Sequence, residues 1–220
     1  MERHEVTQRI REIGIVPAIR VDSPEDALFA AASVLHGGIP IVEVTMTIPG
    51  ALEVIAELVR CHPRLLVGAG TVFSIDVARD CVAAGAHYLT SPGLDPELAQ
   101  FAAREKVTFL PGALTPTEVW TACKAGCDMV KIFPCSHVGG PKYIRALQRP
   151  FPHVPLIASG GVNQHTAADF IRAGAAALGI GGALIPPEAI EHRHADHIHE
   201  LARRFLEAVR TARAHLQAEA

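Results

Sequence analysis

One lysine stands in an apolar setting that could make it a nucleophile. Lys131 lies in the middle of the short run Met129–Phe133, which Gly126 precedes and Pro134 ends. This pattern is typical of a strand buried on both faces in a parallel sheet, where a charged ammonium is costly. Removing an amine from water favours its neutral form, which can attack a carbonyl and form a Schiff base. The run alone is equally compatible with a lysine that pairs with a carboxylate or reaches past the strand end.

The carboxylate of Glu43 is a candidate partner for this amine. Glu43 lies in the apolar run Ile39–Thr45 and shares one strand face with Ile41 and Thr45. If Glu43 and Lys131 point into the same interior, they form either a structural ion pair or an acid/base beside a nucleophile. The second interpretation is favoured at the mouth of a barrel, and neither residue is surrounded by other charges in the sequence.

The elements that would position these two residues alternate between strand and helix. Short apolar runs predict strands over Ile15–Arg20, Ile39–Thr45, Leu65–Thr71, His87–Ser91, Val107–Pro111, Met129–Phe133, Pro155–Ser159 and Ala177–Ile180. Amphipathic segments predict helices over Glu25–Leu35, Ala51–Arg60, Ser74–Ala84, Pro96–Arg104, Pro116–Ala125, Pro141–Leu147 and His165–Ala173. Helix starts are indicated by cap residues at Ser23, Asp95, Thr115 and Asn163, and helix ends by Gly37, Gly85, Gly126 and Gly174.

This alternation predicts an α/β fold, a (β/α)8 barrel with about 20–25 residues in each unit. A leading helix is expected over Glu2–Ile13 and a last helix from Ile198 to about Leu216. A doubly wound open sheet would also alternate, but it would rarely need eight units in a chain of 220 residues.

In such a barrel the chemistry takes place at the carboxyl ends of the strands. This rule selects four side chains at or after strand ends: Arg20, Thr71, Pro92 and Phe133. It also selects two glycine pairs, after strands seven and eight: Gly160 with Gly161, and Gly181 with Gly182. Bare backbone N–H groups bind phosphate well, although glycines also simply permit tight turns. The position after these two strands favours phosphate binding.

Composition and charge restrict the classes of function. The chain is 49% hydrophobic and 20% charged, which suits one compact domain over residues 1–220. A net charge of -3 without a basic stripe argues against a nucleic-acid partner. The first residues lack the apolar core of a signal peptide, and no apolar run approaches the roughly 20 residues that cross a bilayer. We therefore expect no membrane partner.

Five cysteines without a CxxC pair indicate reduced thiols and a cytoplasmic protein.

Histidines near the C-terminus form one further cluster: His192, His194, His197 and His199. Two of them, His194 and His197, could share a helix face, but no acidic or thiol ligand set completes a metal site. A solvated segment that leads into the last helix is the favoured interpretation, and no metal site is predicted.

Four motifs together carry a resemblance to a known family: Gly38–Thr45, Gly68–Thr71, Ser91–Gly93 and Val130–Pro134. In this order they resemble the KDPG/KHG aldolase family, and the resemblance covers about Ile13 to Ile185. It implies a homotrimeric (β/α)8 class I aldolase that requires no metal and no other cofactor. It also implies release of pyruvate from 2-keto-3-deoxy-6-phosphogluconate, 4-hydroxy-2-oxoglutarate or a related small 2-keto acid.

The same resemblance implies roles for individual residues. Lys131 would be the Schiff-base lysine and Glu43 the general acid/base. Three further residues would line the pyruvate pocket: Thr71, Pro92 and Phe133. Arg20 is the expected partner of the substrate carboxylate, since a guanidinium can bind a carboxylate through two hydrogen bonds.

Two positions depart from the pattern of the best-known members. Thr47 stands where those members carry an arginine, and Ala183 stands where they carry a serine that binds phosphate. Both departures concern the distal end of the substrate and leave the Schiff-base chemistry intact. The sequence therefore predicts an enzyme with a reduced preference for a phosphorylated substrate.

Two other functions fit parts of the same pattern. A phosphate-binding barrel isomerase or epimerase would use Glu43 as a base and Lys131 as an electrostatic clamp, without a covalent intermediate. A non-catalytic small-molecule binding barrel would keep the glycine loops but would not need a lysine–glutamate pair. The presence of that pair argues against the binding barrel.

Overall fold

The computed structural model describes residues 1–218. Within them, nine parallel strands form a nearly closed barrel that alternates with helices. The strands are β1 Ile15–Ile19, β2 Ile41–Thr45, β3 Leu66–Gly70, β4 Tyr88–Thr90, β5 Thr108–Leu110, β6 Gly112–Ala113, β7 Val130–Ile132, β8 Leu156–Ser159 and β9 Ala177–Ile180. The helices are α1 Arg3–Ile13, α2 Pro24–His36, α3 Ala51–Cys61, α4 Ile75–Ala83, α5 Pro96–Arg104, α6 Pro116–Lys124, α7 Pro141–Gln148, α8 Ala167–Arg172, α9 Pro187–Glu191 and α10 Ala195–Ala218. A short 3₁₀ helix, Cys135–Val138, precedes α7.

The order of the strands shows how the barrel closes. The sheet runs β5-β4-β3-β2-β1-β9-β8-β7-β6, and all its pairings are parallel. Only Pro111 separates β5 from β6, so these two strands are the halves of one interrupted strand. Proline has no N–H to donate, but its carbonyl accepts a hydrogen bond from the backbone N–H of Lys131 at 2.8 Å. The predicted (β/α)8 barrel with a leading helix is therefore confirmed, with a fifth strand in two pieces.

Local sequence signals explain where the helices begin. Ser23 accepts a hydrogen bond from the N–H of Asp26 at 3.1 Å, and Asp95 accepts one from Glu97 at 2.8 Å. These side chains satisfy backbone donors that the first helical turn leaves free. The predicted glycine just past the end of α2 is confirmed, because the helix ends at His36 and Gly37 follows it as the C-cap. The residue in the left-handed region is the next one, Gly38, with φ 98°.

The last helix differs more from the prediction. Helix α10 begins at Ala195, so His197 and His199 lie inside it. The ring of His199 packs edge-on against that of His36 at 6.0 Å, and its side chain is only 23% exposed. The expectation of a solvated segment therefore fails for His199, although His192, His194 and His197 are exposed.

Helix α1 covers the amino-terminal end of the barrel, where it contacts β1, β5 and β9. Arg3 of this helix forms an ion pair with Asp128 at 2.7 Å. Arg213 of α10 donates hydrogen bonds to the carbonyls of Glu12 at 2.7 Å and Ala176 at 3.1 Å. A cation at the C-terminus of a helix satisfies free carbonyls and complements the helix dipole. The end of the barrel opposite the strand carboxyl ends is thereby closed.

Tyr88 fills the interior beneath the carboxyl ends of the strands. Its fully buried ring packs directly on the backbone of Gly68, and its hydroxyl donates to the carbonyl of Val42 at 2.8 Å. Burial raises the pKa of Tyr88 well above its usual value, and the charge of Glu43 adds a smaller effect. Tyr88 therefore stays protonated. Its ring is a rigid packing surface for the layer of side chains above it.

No helix in residues 1–218 is both long enough and apolar enough to cross a membrane.

The contact between Tyr88 and Gly68 generates a stability prediction. A Cβ at residue 68 would lie 2.5 Å or less from ring atoms of Tyr88, whereas a Cβ on Gly93 would meet nothing within 4 Å. We expect Gly68→Ala to lower the free energy of unfolding by about 1–3 kcal/mol, the usual cost of overpacking. The matched control Gly93→Ala should leave it nearly unchanged. Urea denaturation followed by circular dichroism measures both, and equal stability of the two variants would contradict this packing.

Candidate active site

A cavity of about 620 Å³ opens at the carboxyl ends of the strands. It brings together all the residues that the sequence predicted for a site: Arg20, Glu43, Thr71, Pro92, Lys131, Phe133, Gly160, Gly161, Gly181 and Gly182. These residues come from seven different strands or the loops that follow them, which is how barrels of this type assemble their sites.

Lys131 and Glu43 form the polar centre of this cavity. The Nζ of Lys131 lies 3.5 Å from the Oε1 of Glu43, at the outer limit of a hydrogen bond. Their side chains are 13% and 5% exposed, respectively. The Nζ also lies 5.8 Å from the centre of the Phe133 ring, within range of a cation–π contact. The amine is therefore held in a sparsely hydrated space beside one carboxylate and one aromatic face.

Gly70 makes room for the carboxylate of Glu43. A Cβ at residue 70 would lie 2.7 Å from the Cδ of Glu43, too close for any side chain. Glycine is therefore required on β3 because the Glu43 side chain crosses its face.

The loops around the cavity contain backbone that is unusual for their residue types. Thr71 has φ 64°, in the left-handed region that β-branched residues avoid, and such strain is concentrated at functional sites. Gly160 and Gly161 have φ 84° and 85°, which glycine adopts at no steric cost. By contrast, a Cβ on Gly182 would meet nothing within 4 Å, so packing does not require glycine there. The pair after β9 keeps its backbone bare, as anion binding needs.

Arg20 supplies a further cation at the rim. Its side chain is exposed, and within residues 1–218 its guanidinium makes no hydrogen bond or ion pair. A guanidinium without a partner is free to bind a carboxylate through two hydrogen bonds. The charged groups that line the cavity are thus Arg20, Lys131 and Glu43.

The cavity also contains polar residues that sequence reasoning missed. Ser159 ends β8, is 7% exposed, and would contact any Cβ on Gly179 through its Oγ at 2.6 Å. Asn163 was predicted only as the cap of a helix, but α8 begins later, at Ala167, and its N-cap is Thr166. The Oδ1 of Asn163 accepts from the N–H groups of His165 at 2.9 Å and Thr166 at 3.2 Å, in the turn before this helix, and Asn163 also lines the cavity. One feature of the sequence could have identified Ser159: it ends a predicted strand and directly precedes the glycine pair Gly160 and Gly161.

The two departures from the family pattern lie in different surroundings. Ala183 lines the cavity, next to Gly182. Thr47 is exposed and does not line it, and its hydroxyl lies 3.0 Å from that of Thr45. Of the two, Ala183 is therefore the closer neighbour of a bound substrate.

Other candidates for chemistry are weaker. Cys135 follows the Lys131 strand, but burial raises the pKa of its thiol to about 11, so it stays protonated near neutral pH. A larger cavity, of about 850 Å³, lies at the amino-terminal end of the barrel beside Arg11, Asp128 and Arg213. Among the described residues that line it, no amine lies next to a carboxylate in a buried setting, so volume alone does not identify the site. Within residues 1–218, no three His, Cys, Asp or Glu side chains cluster as a metal site would require.

Comparison with known proteins gives a consistent result. Residues 6–201 match the family described as KDPG and KHG aldolase. The 2-dehydro-3-deoxy-phosphogluconate aldolase of Treponema pallidum is 31% identical over 93% of this chain and 97% of its own. That of Pseudomonas aeruginosa is 33% identical over 83% of each chain.

A solved structure is similar over nearly the same range. The KDPG aldolase of Legionella pneumophila, with pyruvate captured at low pH as a covalent carbinolamine, has a TM-score of 0.84 and 30% identity. The match covers 90% of this chain and 96% of that one. The chain therefore belongs to the KDPG and KHG aldolase family, whose members are lyases.

Proposed function

We propose that this protein is a class I aldolase that cleaves a 2-keto acid to pyruvate and an aldehyde. The observation that carries the proposal is the partly buried amine of Lys131, 3.5 Å from a single carboxylate in a cavity with an unpaired arginine at its rim. The covalent carbinolamine in the Legionella relative supports a Schiff-base route for the family. Catalysis by a covalent amine needs a nucleophile, a proton carrier and a carboxylate anchor, and the cavity offers one residue for each.

The first half of the reaction forms the Schiff base. Arg20 binds the substrate carboxylate, and the lone pair on Nζ of Lys131 adds to C2 of the keto acid. The addition gives a carbinolamine, whose nitrogen loses a proton as its oxygen gains one. Glu43 carries these protons and then helps the hydroxyl leave as water, which produces an iminium ion. The ring of Phe133, whose centre lies 5.8 Å from Nζ, supplies an apolar wall beside this carbon.

The second half breaks the carbon–carbon bond. The iminium accepts the electron pair of the C3–C4 bond while the C4 hydroxyl loses its proton, directly or through water, to Glu43. An aldehyde leaves, and the resulting enamine takes a proton at C3. Water then adds to C2 and releases pyruvate and the free amine. Each step uses Glu43 alternately as base and acid, so one carboxylate is sufficient.

The cavity also bears on the choice of substrate. Beyond the Lys131–Glu43 pair, one cation among residues 1–218 lines the cavity, Arg20, and this is needed for the keto-acid carboxylate. The distal end of the substrate therefore meets neutral groups: the glycine pairs, Ser159 and Asn163. We propose that the enzyme cleaves both 4-hydroxy-2-oxoglutarate and 2-keto-3-deoxy-6-phosphogluconate, with a modest preference for the phosphorylated substrate.

We further propose that the chain is one aldolase domain over residues 1–220, assembles as a homotrimer and acts in carbohydrate metabolism in the cytoplasm. Two exposed aromatic side chains, Phe73 at 64% and Trp120 at 54%, offer apolar surface that an assembly would cover. Free thiols at all five cysteines agree with a reducing compartment.

The first prediction of this mechanism concerns the covalent residue. Borohydride with pyruvate should add a reduced adduct to the peptide that contains Lys131. The remaining lysines, Lys106, Lys124 and Lys142, are exposed and serve as internal controls in the same mass map. Lys131→Ala should abolish cleavage, and Lys131→Arg should fail as well because arginine stays protonated.

An adduct confined to an exposed lysine would contradict the role of Lys131. If no adduct forms anywhere while the enzyme remains active, the chemistry is non-covalent. In that case Glu43 acts as a base beside an electrostatic clamp, as in a barrel isomerase or epimerase.

The second prediction concerns proton transfer. Glu43→Gln keeps the shape of the side chain but removes its titratable group, so kcat should fall by roughly 10²–10⁴-fold, the usual contribution of acid–base catalysis. Glu53→Gln changes an exposed carboxyl on α3 in the same way and should leave kcat unaltered. Steady-state pyruvate release measures both. Turnover near that of the unmodified enzyme in Glu43→Gln would show that Glu43 only holds Lys131.

The third prediction concerns the distal end of the substrate. Thr47→Arg with Ala183→Ser should raise kcat/KM for the phosphorylated substrate and leave that for 4-hydroxy-2-oxoglutarate nearly unchanged, because a phosphate gains a charge-assisted contact. Because Ala183 lines the cavity and Thr47 does not, each single variant should be compared with the pair. An overwhelming preference for phosphate before the change, together with no gain after it, would mean that other groups bind the phosphate.

A further inference from the structure

The hydroxyl of Thr90 is buried without a hydrogen-bond partner. The residue is 1% exposed, and within residues 1–218 its Oγ1 is one of two buried side-chain polar atoms left unpaired. The other, Nε2 of His199, lies on the outer helix α10. An unpaired buried hydroxyl destabilises a fold, so native proteins retain one only where something offsets the loss.

The position of Thr90 in the barrel follows from its neighbours. The ring of Tyr88 lies against Gly68, which places Tyr88 in the barrel interior. Residues two apart on a strand share a face, so Thr90 also points inward, one layer nearer the cavity. The parallel register pairs Gly68 with Tyr88 and therefore brings Gly70 beside Thr90.

This places Thr90 next to the carboxylate of Glu43. That carboxylate lies over Gly70, where a Cβ would come within 2.7 Å of its Cδ. Neighbouring strands are separated by about 4.8 Å, so the Thr90 side chain is roughly one strand spacing from the carboxylate. The two groups can meet if the Glu43 carboxylate moves toward β4 by part of this spacing.

The chemistry supplies a reason for such a change. In the free protein Glu43 accepts from Nζ of Lys131, at the long distance of 3.5 Å. In the proposed reaction this nitrogen bonds to C2 of the substrate, and the iminium has a single N–H left. The carboxylate then has a single N–H on this nitrogen from which to accept, inside a largely dry cavity where a poorly paired anion is costly.

We propose that Thr90 is a positioning residue for Glu43: its hydroxyl donates a hydrogen bond to the carboxylate while Lys131 is bonded to substrate. Thr90 touches neither the substrate nor Lys131 in this scheme and acts through Glu43 alone. The inference rests on the proposed function, since it requires Glu43 to carry protons. It also explains why a buried hydroxyl is unpaired in the free protein.

The test compares Thr90→Val, which keeps the shape and removes the hydroxyl, with Thr90→Ser, which keeps the hydroxyl. Thr90→Val should lower kcat roughly tenfold, as expected for loss of a hydrogen bond to a charged group, while Thr90→Ser retains most of it. A carboxylate without this donor is harder to ionise, so the acidic limb of the kcat–pH profile should move to higher pH in Thr90→Val only. The melting temperature should not fall, because the lost hydroxyl had no partner.

A second threonine provides the control. Thr108 is also buried on a strand, but its hydroxyl donates to the carbonyl of Arg3 at the other end of the barrel, at 3.3 Å. Thr108→Val should lower the melting temperature and leave the acidic limb of the kcat–pH profile unchanged.

The proposal is overturned if Thr90→Val has the kcat and pH profile of the unmodified enzyme, or if Thr90→Ser is as impaired as Thr90→Val. It is also overturned if Thr90→Val lowers kcat by the same factor in a Glu43→Gln background, because the hydroxyl then acts elsewhere. Normal turnover in Glu43→Gln alone would instead remove the proposed role of Glu43. These outcomes separate a failure of this inference from a failure of the mechanism.

Discussion

The architecture depends on holding one amine and one carboxylate together inside a largely apolar barrel. Burial of either charge alone would be costly, and their mutual attraction offsets that cost only when their geometry is fixed. Lys131 is fixed by its fully buried neighbours Val130 and Ile132. Glu43 is fixed in the same way between Val42 and Val44. Their strands, β2 and β7, are far apart in the sheet order, so the pair exists only because the sheet closes on itself.

Three bulky or polar side chains inside the barrel each face a glycine on the next strand. Tyr88 lies on Gly68 and the Glu43 carboxylate on Gly70. Ser159 faces Gly179 in the same way. A closely packed interior cannot accommodate two large side chains at one level, so small residues must alternate with large ones. These glycines therefore determine which side chains can reach the cavity.

Much of this arrangement could be predicted from the sequence. A charged residue in a short apolar run identified both Lys131 and Glu43, and alternation of side chains along a strand placed them in one interior. The predicted bounds of a helix or strand were correct where neighbouring residues determine them. Examples are the helix Pro96–Arg104, which begins after an aspartate cap, and the strand Ala177–Ile180. These features depend on neighbours within a few positions of the chain.

What the sequence did not predict depends on contacts between distant segments. The isolation of the Thr90 hydroxyl and the contact between His199 and His36 follow from strand register and helix packing. Asn163 was identified as a cap from its own segment, but its second place, at the cavity wall, requires the barrel to be closed. The same applies to Ala183 and Thr47, which the sequence could not distinguish by distance from the site.

The interrupted fifth strand gives the barrel a seam. On one side of Pro111 the sheet continues through β5 to β1 and includes Glu43, and on the other it continues through β6 to β9 and includes Lys131. The two half-barrels are joined by ladder hydrogen bonds between β1 and β9, whereas at Pro111 they are joined by one residue of chain and by the hydrogen bond that its carbonyl accepts from Lys131. Any opening at the seam turns the halves about the β1–β9 junction and separates the amine from the carboxylate. The distance between Nζ of Lys131 and Oε1 of Glu43 therefore increases when the barrel opens at Pro111.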